Sequence, residues 1–535
     1  MARRSSTLLL AFLLLAGLYF FAASPARPLL HRRAFKACVL DPELAHRADR
    51  AKIPTVTKKQ SLRHLFGLPN LLDSPDHCYN ATTRLAPYGF DPDNKYTDGN
   101  SVWLGRDWRK EQHECAARNG LLPGHGNQPR ERFHLPDRKP KGHLTVQTSN
   151  TDYKKSTVPR TAVVMRTSES FNWAGDIIAY IRSLVVELAL ESGGVYELFI
   201  LVQVKDLKQH IFLDPEAYDR VLRKHVPEEF RGMAYLWNEN LLKDWYPEVP
   251  NHSYIHQAYQ ALQLFANNIA PDFDYFWQFE MDWRATTPHL KAFERMASWA
   301  KDQPRLYLNN MNSAWYLPSL QGSWNDLWML MNDTLWNDKR AAEVREHGKK
   351  WGVGEEADLI TLAPIVDVRT TNFWLFKGMV HNDPLQIKKK KLPHFAAPVA
   401  MTRTSKQLLS AVHTLQQQYG FWMASEATME TMAYHHGFKA VHVQHPVFFH
   451  GTEEDQMVDW LFNSGGPENL GGGPDSQYNW EGAAHRVLEK LTWWWPREGY
   501  DHYSQHVWSD FLKKGTCLPP GMFHPFKWEK FKSPK

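Results

Sequence analysis

Apolar runs typical of β-strands alternate with helical patterns from Arg160 onward, and this alternation restricts the folds open to the chain. Residues 161–166 and 195–204 predict two strands, and apolar side chains at helical spacing fill the segment between them. The Gly193-Gly194 pair stops that helix. Strands that alternate with helices favour a mostly parallel sheet with crossover helices, so we expect an α/β fold.

The same alternation continues through most of the chain. We predict further strands at residues 233–237, 273–280, 357–362 and 439–444, and helices at residues 215–224, 254–268, 405–417 and 424–436. We expect four regions: a tail and anchor at residues 1–26, a stem at 27–158, a catalytic domain at 159–450, and a Gly- and Trp-rich extension at 451–535 packed on the core.

Two carboxylates, Glu280 and Asp282, directly follow an aromatic strand-like run at residues 273–279. In parallel sheets ligands bind beyond the carboxyl ends of the strands. Carboxylates buried there are costly unless a cation compensates them, and Mn²⁺ or Mg²⁺ would also hold a diphosphate. The pair therefore predicts a metal site. The alternative is structural, because acid-x-acid triplets arise by chance: Glu280 would cap the strand and Asp282 would open the next turn.

Other residues could complete such a site. His445, at a predicted strand end before Pro446, is the predicted third metal ligand. Glu426 is the candidate general base for transfer to a hydroxyl, with Glu430 in reserve. Alternatively, Ser425 and Glu426 form only a helix cap.

Three residues at predicted strand ends could bind a substrate. We predict that Arg166 contacts a phosphate or nucleotide, that Asp206 hydrogen-bonds a ribose, and that Arg284 joins them in the donor site. By default Arg166 and Asp206 would be ordinary surface residues.

The N-terminus predicts a membrane anchor. An uninterrupted apolar run at residues 8–23 follows Arg3 and Arg4, which favours an uncleaved signal anchor and a single-pass type II protein held in the membrane by one helix. A large lumenal part agrees with three sequons, at Asn80, Asn251 and Asn332, and with an even number of cysteines. We therefore predict location in the Golgi or endoplasmic reticulum membrane.

The cysteines and the net charge exclude some functions. Cys38, Cys78, Cys115 and Cys517 lack CxxC spacing, so two disulfides are expected rather than a zinc site, with three connectivities open. Any pairing of Cys517 would tie the C-terminal tail to the N-terminal region. A net charge of +5 over 535 residues gives no argument for a nucleic-acid partner.

Several blocks of sequence, in order, resemble one known family. They include residues 183–194, 201–206, 226–238, 276–284, 357–360 and 435–446. This family consists of uncharacterised fungal single-span proteins of the secretory pathway, defined by a domain of unknown function. Beyond it, the chain resembles GT-A-type glycosyltransferases in its strand-end acids, later acidic helix start and C-terminal histidine, although Glu280 stands where Asp is commoner.

The resemblance implies a GT-A-like sheet flanked by helices, and a type II glycosyltransferase that uses a nucleotide sugar and a divalent metal. The acceptor would be a glycan or glycoprotein. Two alternatives stay open: a non-catalytic lumenal carbohydrate-binding or scaffold protein, and a metal-dependent phosphohydrolase. A multi-span transporter is excluded because only one segment of the sequence is long and apolar enough to span a membrane.

Overall fold

The computed structural model shows strands and helices alternating as the sequence predicts. It describes residues 35–39, 42–55, 62–91, 103, 105–122, 131–136, 158–173, 176–254, 256–335, 346–372, 392–480, 482–494 and 501–526. The predicted signal anchor at residues 1–26 and part of the predicted stem lie outside the described residues. Within those residues no helix combines the length and the apolar character that a membrane span needs.

The strands are β1 (His64–Phe66), β2 (Thr161–Ser168), β3 (Tyr196–Gln203), β4 (Ala234–Trp237), β5 (Tyr275–Glu280), β6 (Arg284–Ala285), β7 (Leu359–Thr361), β8 (Val366–Asp367), β9 (Phe395–Ala396), β10 (Thr402–Ser405), β11 (Ala440–His442), β12 (Val447–Phe448) and β13 (Met522–Phe523). The helices are α1 (Pro42–Ala51), α2 (Ala81–Arg84), α3 (Trp108–Arg118), α4 (Asp176–Leu184), α5 (Pro215–His225), α6 (Glu239–Trp245), α7 (Gln260–Leu264), α8 (His289–Asp302), α9 (Leu308–Asn312), α10 (Pro318–Gln321), α11 (Trp324–Leu335), α12 (Lys406–Tyr419), α13 (Ser425–His435), α14 (Asp455–Asn463) and α15 (Tyr503–Lys513).

The central sheet has seven strands in the order β11-β7-β10-β5-β2-β3-β4. Strands β5, β2, β3 and β4 pair in parallel, as do β11 and β7. Strand β10 is antiparallel to both of its neighbours. The prediction of a mixed α/β fold with a mostly parallel sheet flanked by helices is confirmed. Strand β10 escaped prediction because its sequence, Thr-Arg-Thr-Ser, has no apolar run although every residue is buried.

The helix between β2 and β3 packs closely on the N-terminal region. Helix α4 is fully buried and continues as a π-helical turn, Val185–Leu190, before Gly193 and Gly194 end it at φ 68° and 90°. A Cβ atom on Gly194 would lie 2.6 Å from the Cα atom of Ala116 in α3. Only glycine permits both this backbone conformation and this close approach.

Described parts of the expected stem belong to the folded unit rather than to an irregular lead-in. The side chain of Trp108 is fully buried, and its indole donates a hydrogen bond to Glu229 at 2.8 Å. Arg84 and Glu187 form a buried ion pair at 2.5 Å, and Tyr88 donates to the same carboxylate at 2.6 Å. These contacts fix the N-terminal segment against α4 and its π-helical extension.

Two disulfides bridge segments that are far apart in sequence. Cys38 pairs with Cys115, and Cys78 pairs with Cys517. The second bridge confirms the expected consequence of a Cys517 pairing, because it ties the C-terminal segment to the N-terminal region. Beside it, Tyr79 and Leu518 exchange backbone hydrogen bonds of 2.9 and 2.8 Å.

The C-terminal segment then reaches the turn that follows β5. Strand β13 pairs antiparallel with β6, and Phe523 lies opposite Arg284. Thr286 Oγ1 donates to the carbonyl oxygen of Pro519 at 2.8 Å. The two segments are more than 230 positions apart in sequence, so only the tertiary fold brings them together.

The disulfide pairing gives the first testable prediction. Replacing Cys78 and Cys517 by serine should lower the free energy of unfolding by about 2–5 kcal/mol, because the unfolded chain regains loop entropy. Replacing Cys38 and Cys115 by serine should lower the free energy of unfolding by less, since that disulfide closes a span of 77 rather than 439 positions. Chemical denaturation measures both, and non-reducing peptide mapping that finds other pairs would refute the assignment.

Candidate metal centre

The two predicted acids lie at the carboxyl edge of the sheet. Glu280 ends β5, and Asp282 lies in the turn between β5 and β6. The Asp282 side chain is 11% exposed and that of Glu280 is 30% exposed. The backbone N–H of Phe526 donates to the Asp282 carbonyl at 3.0 Å. The acid turn is therefore attached directly to the C-terminal segment.

His524, one residue beyond β13, lies beside both acids. Its Nε2 atom is 3.4 Å from Asp282 Oδ1 and 3.9 Å from Glu280 Oε2. One ligand atom from each of the three residues lies within 4.8 Å of the others. Among the described residues, this is the group of histidine, cysteine and acidic side chains close enough together to hold a metal ion.

The second ring nitrogen of His524 fixes the orientation of the imidazole. Nδ1 donates to the carbonyl oxygen of Trp494, which directs Nε2 towards the acids. A metal-binding histidine usually donates its second ring N–H to a carboxylate, a backbone carbonyl or water. The Nδ1–H bond to a carbonyl leaves the Nε2 lone pair available for a metal. Burial opposes charge on the ring, but the Asp282 and Glu280 carboxylates outweigh it and raise the pKa of His524.

The structure does not bring the predicted third ligand, His445, into this cluster. Its Nε2 lies 3.0 Å from the Leu362 carbonyl oxygen, and its ring packs edge-on against Trp493 at 5.0 Å. Burial lowers the pKa of His445 to about 4, which keeps the ring neutral. His445 and His524 share the local cue that suggested a ligand, a histidine before proline near a strand end, so sequence alone could not rank them.

Arg166 lies beside the acids, and its contact with a phosphate or nucleotide stays a prediction. Strands β2 and β5 pair so that Arg166 stands opposite Glu280, and its Nη2 donates to Glu280 Oε1. The side chain is 15% exposed. The guanidinium therefore balances part of the negative charge of the acids at the mouth of the site.

The predicted base, Glu426, lies in the first turn of α13 close to these charges. Burial raises its pKa to about 7; Arg166 acts to lower the pKa of Glu426 and Glu280 acts to raise it. The Glu426 Oε2 atom is shielded from solvent and has no hydrogen-bond partner. The helix has Ala424 as its N-cap without a capping side chain, and Ser425 Oγ instead accepts from the Ala258 N–H at 2.8 Å. The N-cap residue is therefore Ala424, and the cap interpretation is wrong for Ser425.

Glu430, the reserve candidate, lies one helical turn further into the protein. Its side chain is fully buried, and neither carboxyl oxygen has a hydrogen-bond partner. Burial, reinforced by Glu426, raises its pKa well above the usual value. The raised pKa favours the protonated form of Glu430 behind Glu426.

Asp206 lies on the same edge of the sheet but apart from the acids. Its carboxylate accepts from the Lys208 N–H at 3.1 Å and from Gln209 Nε2 at 3.2 Å. It borders a cleft of about 270 Å³ that is also lined by Glu169, Val204, Gln209, Arg220, Val221, Lys224 and His225. A ribose contact by Asp206 stays a prediction.

Arg284 is placed differently from the prediction that it binds the donor. The residue is 1% exposed, and its Nε donates to Asp176 Oδ2 at 2.7 Å. Its Nη1 donates to the carbonyl oxygens of Met281 and Trp283, both at 2.7 Å. The guanidinium is thus committed to the protein interior, because the chain reverses direction at the acid turn and buries it.

The predicted glycosylation sites differ in accessibility. Asn80 caps α2 by accepting from the Thr83 N–H at 2.8 Å, and Asn251 accepts from the Ser253 N–H at 2.9 Å; both residues are partly exposed. Asn332 is 8% exposed, and its Oδ1 accepts from the Tyr307 hydroxyl at 3.3 Å. The burial of Asn332 disfavours a glycan at that position.

Comparison with known proteins identifies the family. Residues 78–528 match the family described as "Protein of unknown function (DUF3405)". This match covers most of the chain, so the protein belongs to that family. No curated protein matches the chain at a significant level.

The different surroundings of the two histidines can be tested with matched variants. We expect His524→Ala to weaken Mn²⁺ binding by about tenfold or more, because it removes the nitrogen donor beside both acids. We expect His445→Ala to bind Mn²⁺ as the wild type does, although both variants open a buried position. Titration calorimetry on folded, purified protein measures both affinities, and a larger loss in His445→Ala would refute this assignment.

Proposed function

We propose that this DUF3405 protein is a metal-dependent glycosyltransferase that transfers a sugar from a nucleotide-sugar donor to a hydroxyl of a glycan or glycoprotein. One observation carries the proposal: Glu280, Asp282 and His524 converge at the carboxyl edge of an α/β sheet. Two carboxylates with one imidazole form a donor set suited to Mn²⁺, and Mg²⁺ would use the same oxygens.

The described residues fit a divalent cation in charge and in orientation. Two carboxylates supply negative charge, and the Trp494 contact directs the Nε2 atom of His524 towards them. When bound, the cation would neutralise the diphosphate that leaves as the glycosidic bond of the donor breaks. Arg166, paired with Glu280, adds a fixed positive charge beside that position.

Glu426 is the proposed general base. In the transfer the acceptor hydroxyl oxygen forms a bond to the anomeric carbon while the bond from that carbon to the diphosphate oxygen breaks. The hydroxyl proton passes to the Glu426 carboxylate. A pKa of about 7 suits this role, since a general base works best when its pKa is close to the working pH.

The cleft beside Asp206 is the proposed position of the nucleoside. Strand β5, which carries Glu280, is separated from β3 by β2 alone. Neighbouring strands lie about 4.8 Å apart, so β5 and β3 are roughly 10 Å apart along the sheet edge. That separation suits a donor whose diphosphate lies at the acids and whose ribose contacts Asp206.

The proposed cellular setting is the lumen of the Golgi or endoplasmic reticulum, with the N-terminal segment as a type II anchor. Both disulfides support an oxidising compartment. A lumenal catalytic part would meet glycan and glycoprotein acceptors there.

A donor screen tests the reaction. Purified protein with Mn²⁺ should release a nucleoside diphosphate from at least one nucleotide sugar, and Asp282→Asn should lower kcat/KM at least 100-fold by removing a ligand charge. Asp274→Asn is the matched control, since Asp274 lies at the other end of the same strand, where it accepts from the Arg160 N–H at 3.2 Å. Folded protein that binds neither Mn²⁺ nor any nucleoside diphosphate would refute the proposal.

The pKa of Glu426 gives a prediction for pH dependence. Activity should rise with pH up to about 7 and then level off, because only the carboxylate accepts a proton. Glu426→Gln should lower kcat by about 10²–10⁴-fold and abolish this rise. An unchanged pH–rate profile in the variant would exclude Glu426 as the base.

The same group gives a stability test without any substrate. The folded state retains the Glu426 proton between the usual pKa of 4.5 and about 7, so the folded state loses stability relative to the unfolded state as pH rises through that range. Glu426→Gln removes this loss. The melting temperature of the metal-free Glu426→Gln variant minus that of the metal-free wild type should therefore grow as pH rises from 4.5 to about 7.

A further inference from the structure

Asp176, a buried carboxylate outside the proposed ligand set, connects both halves of the metal centre. It begins α4, and its side chain is fully buried. One oxygen, Oδ2, accepts from Arg284 Nε at 2.7 Å and from Trp508 Nε1 at 3.0 Å. These two donors lie more than 200 positions apart in sequence, and each belongs to a segment that carries proposed ligands.

Arg284 links Asp176 to the acids. Its guanidinium donates to the carbonyl oxygens of Met281 and Trp283, the residues on either side of Asp282. It also lies over the Tyr180 ring at 4.9 Å, and the Tyr180 hydroxyl accepts from the Ala285 N–H at 2.9 Å. The conformation of the acid turn therefore depends on a guanidinium whose counter-charge is Asp176.

Trp508 links Asp176 to His524. Its ring packs against Phe523 at 6.2 Å and Phe526 at 5.5 Å, and these residues flank His524 on either side. An indole N–H anchored on a buried carboxylate gives the ring a fixed position, and the ring in turn supports the C-terminal strand.

We propose that Asp176 is a positioning residue for the metal centre, setting the separation of Glu280 and Asp282 from His524 through Arg284 and Trp508. The inference rests on the proposed metal site. A charged carboxylate is required because Arg284 is buried, and a buried guanidinium without a counter-charge is strongly destabilising. Removing a group that orients metal ligands through hydrogen bonds typically lowers metal affinity by about 10–100-fold.

The test measures Mn²⁺ affinity of the full folded protein by titration calorimetry. We expect Asp176→Asn, which preserves side-chain size, to weaken Mn²⁺ binding by about tenfold or more. The matched control is Glu197→Gln. Glu197 also pairs with a buried arginine, Arg160, at 2.7 Å, but this pair lies at the amino end of β3, on the opposite edge of the sheet. The control should change Mn²⁺ affinity by less than about threefold.

A second readout uses metal-free protein. Hydrogen exchange should accelerate in Asp176→Asn at the amides of Ala285 and Phe526, which donate to Tyr180 and to Asp282 respectively. In Glu197→Gln these amides should exchange as in the wild type. If Asp176→Asn does not fold, Trp508→Phe keeps an aromatic ring at this buried position but removes the hydrogen bond to Asp176, and it should weaken Mn²⁺ binding severalfold.

The outcomes separate this inference from the proposed function. Wild-type Mn²⁺ affinity in folded Asp176→Asn, or in Trp508→Phe where that variant replaces it, would refute the positioning role and leave the metal site standing. An equal loss in Glu197→Gln would also refute it, because the effect would then be general destabilisation. A wild-type protein that binds no Mn²⁺ would refute the proposed metal site and this inference together.

Discussion

The cost of burying carboxylates at the carboxyl edge of the sheet is the constraint around which this region is built. Asp282 and Glu280 adjoin a largely apolar interior, and each buried charge needs a partner of opposite sign. Arg166 from β2 and His524 from the C-terminal segment supply positive or protonatable groups. Behind them, Arg284 is balanced by Asp176. Charges of both signs therefore alternate from the mouth of the site into the core.

This arrangement explains why distant segments of the chain must meet. The acid turn is short, and the residues that hold its backbone lie outside it. The C-terminal strand β13 pairs with β6, and the Cys78–Cys517 disulfide ties that segment to the N-terminal region. Arg84 donates to the carbonyl oxygens of Thr286 and Thr287, both at 2.9 Å, while it pairs with Glu187. The N-terminal, central and C-terminal parts thus share one set of buried contacts.

Local patterns predicted the parts of the site that are encoded locally. Glu280 and Asp282 follow a strand-like aromatic run, and Glu426 begins a helix, so periodicity alone placed these acids at the ends of elements. The same reasoning failed for Arg284, because its burial depends on Asp176, more than 100 positions away. It also missed β10, whose polar sequence is buried only because β5 and β7 flank it. The sequence analysis named His445 and did not consider His524, because the contact of His524 with the acids depends on the C-terminal strand.

The sequence by itself determined the α/β class, six of the seven strands of the central sheet, the position of the acid pair and the even set of cysteines. These features follow from side-chain periodicity and residue type, which act over a few neighbouring positions. The tertiary structure decided which histidine meets the acids, which cysteines pair, and which arginine faces the site rather than the core. Those outcomes depend on sheet register and on the balance of buried charge between segments hundreds of positions apart, and no local pattern records either.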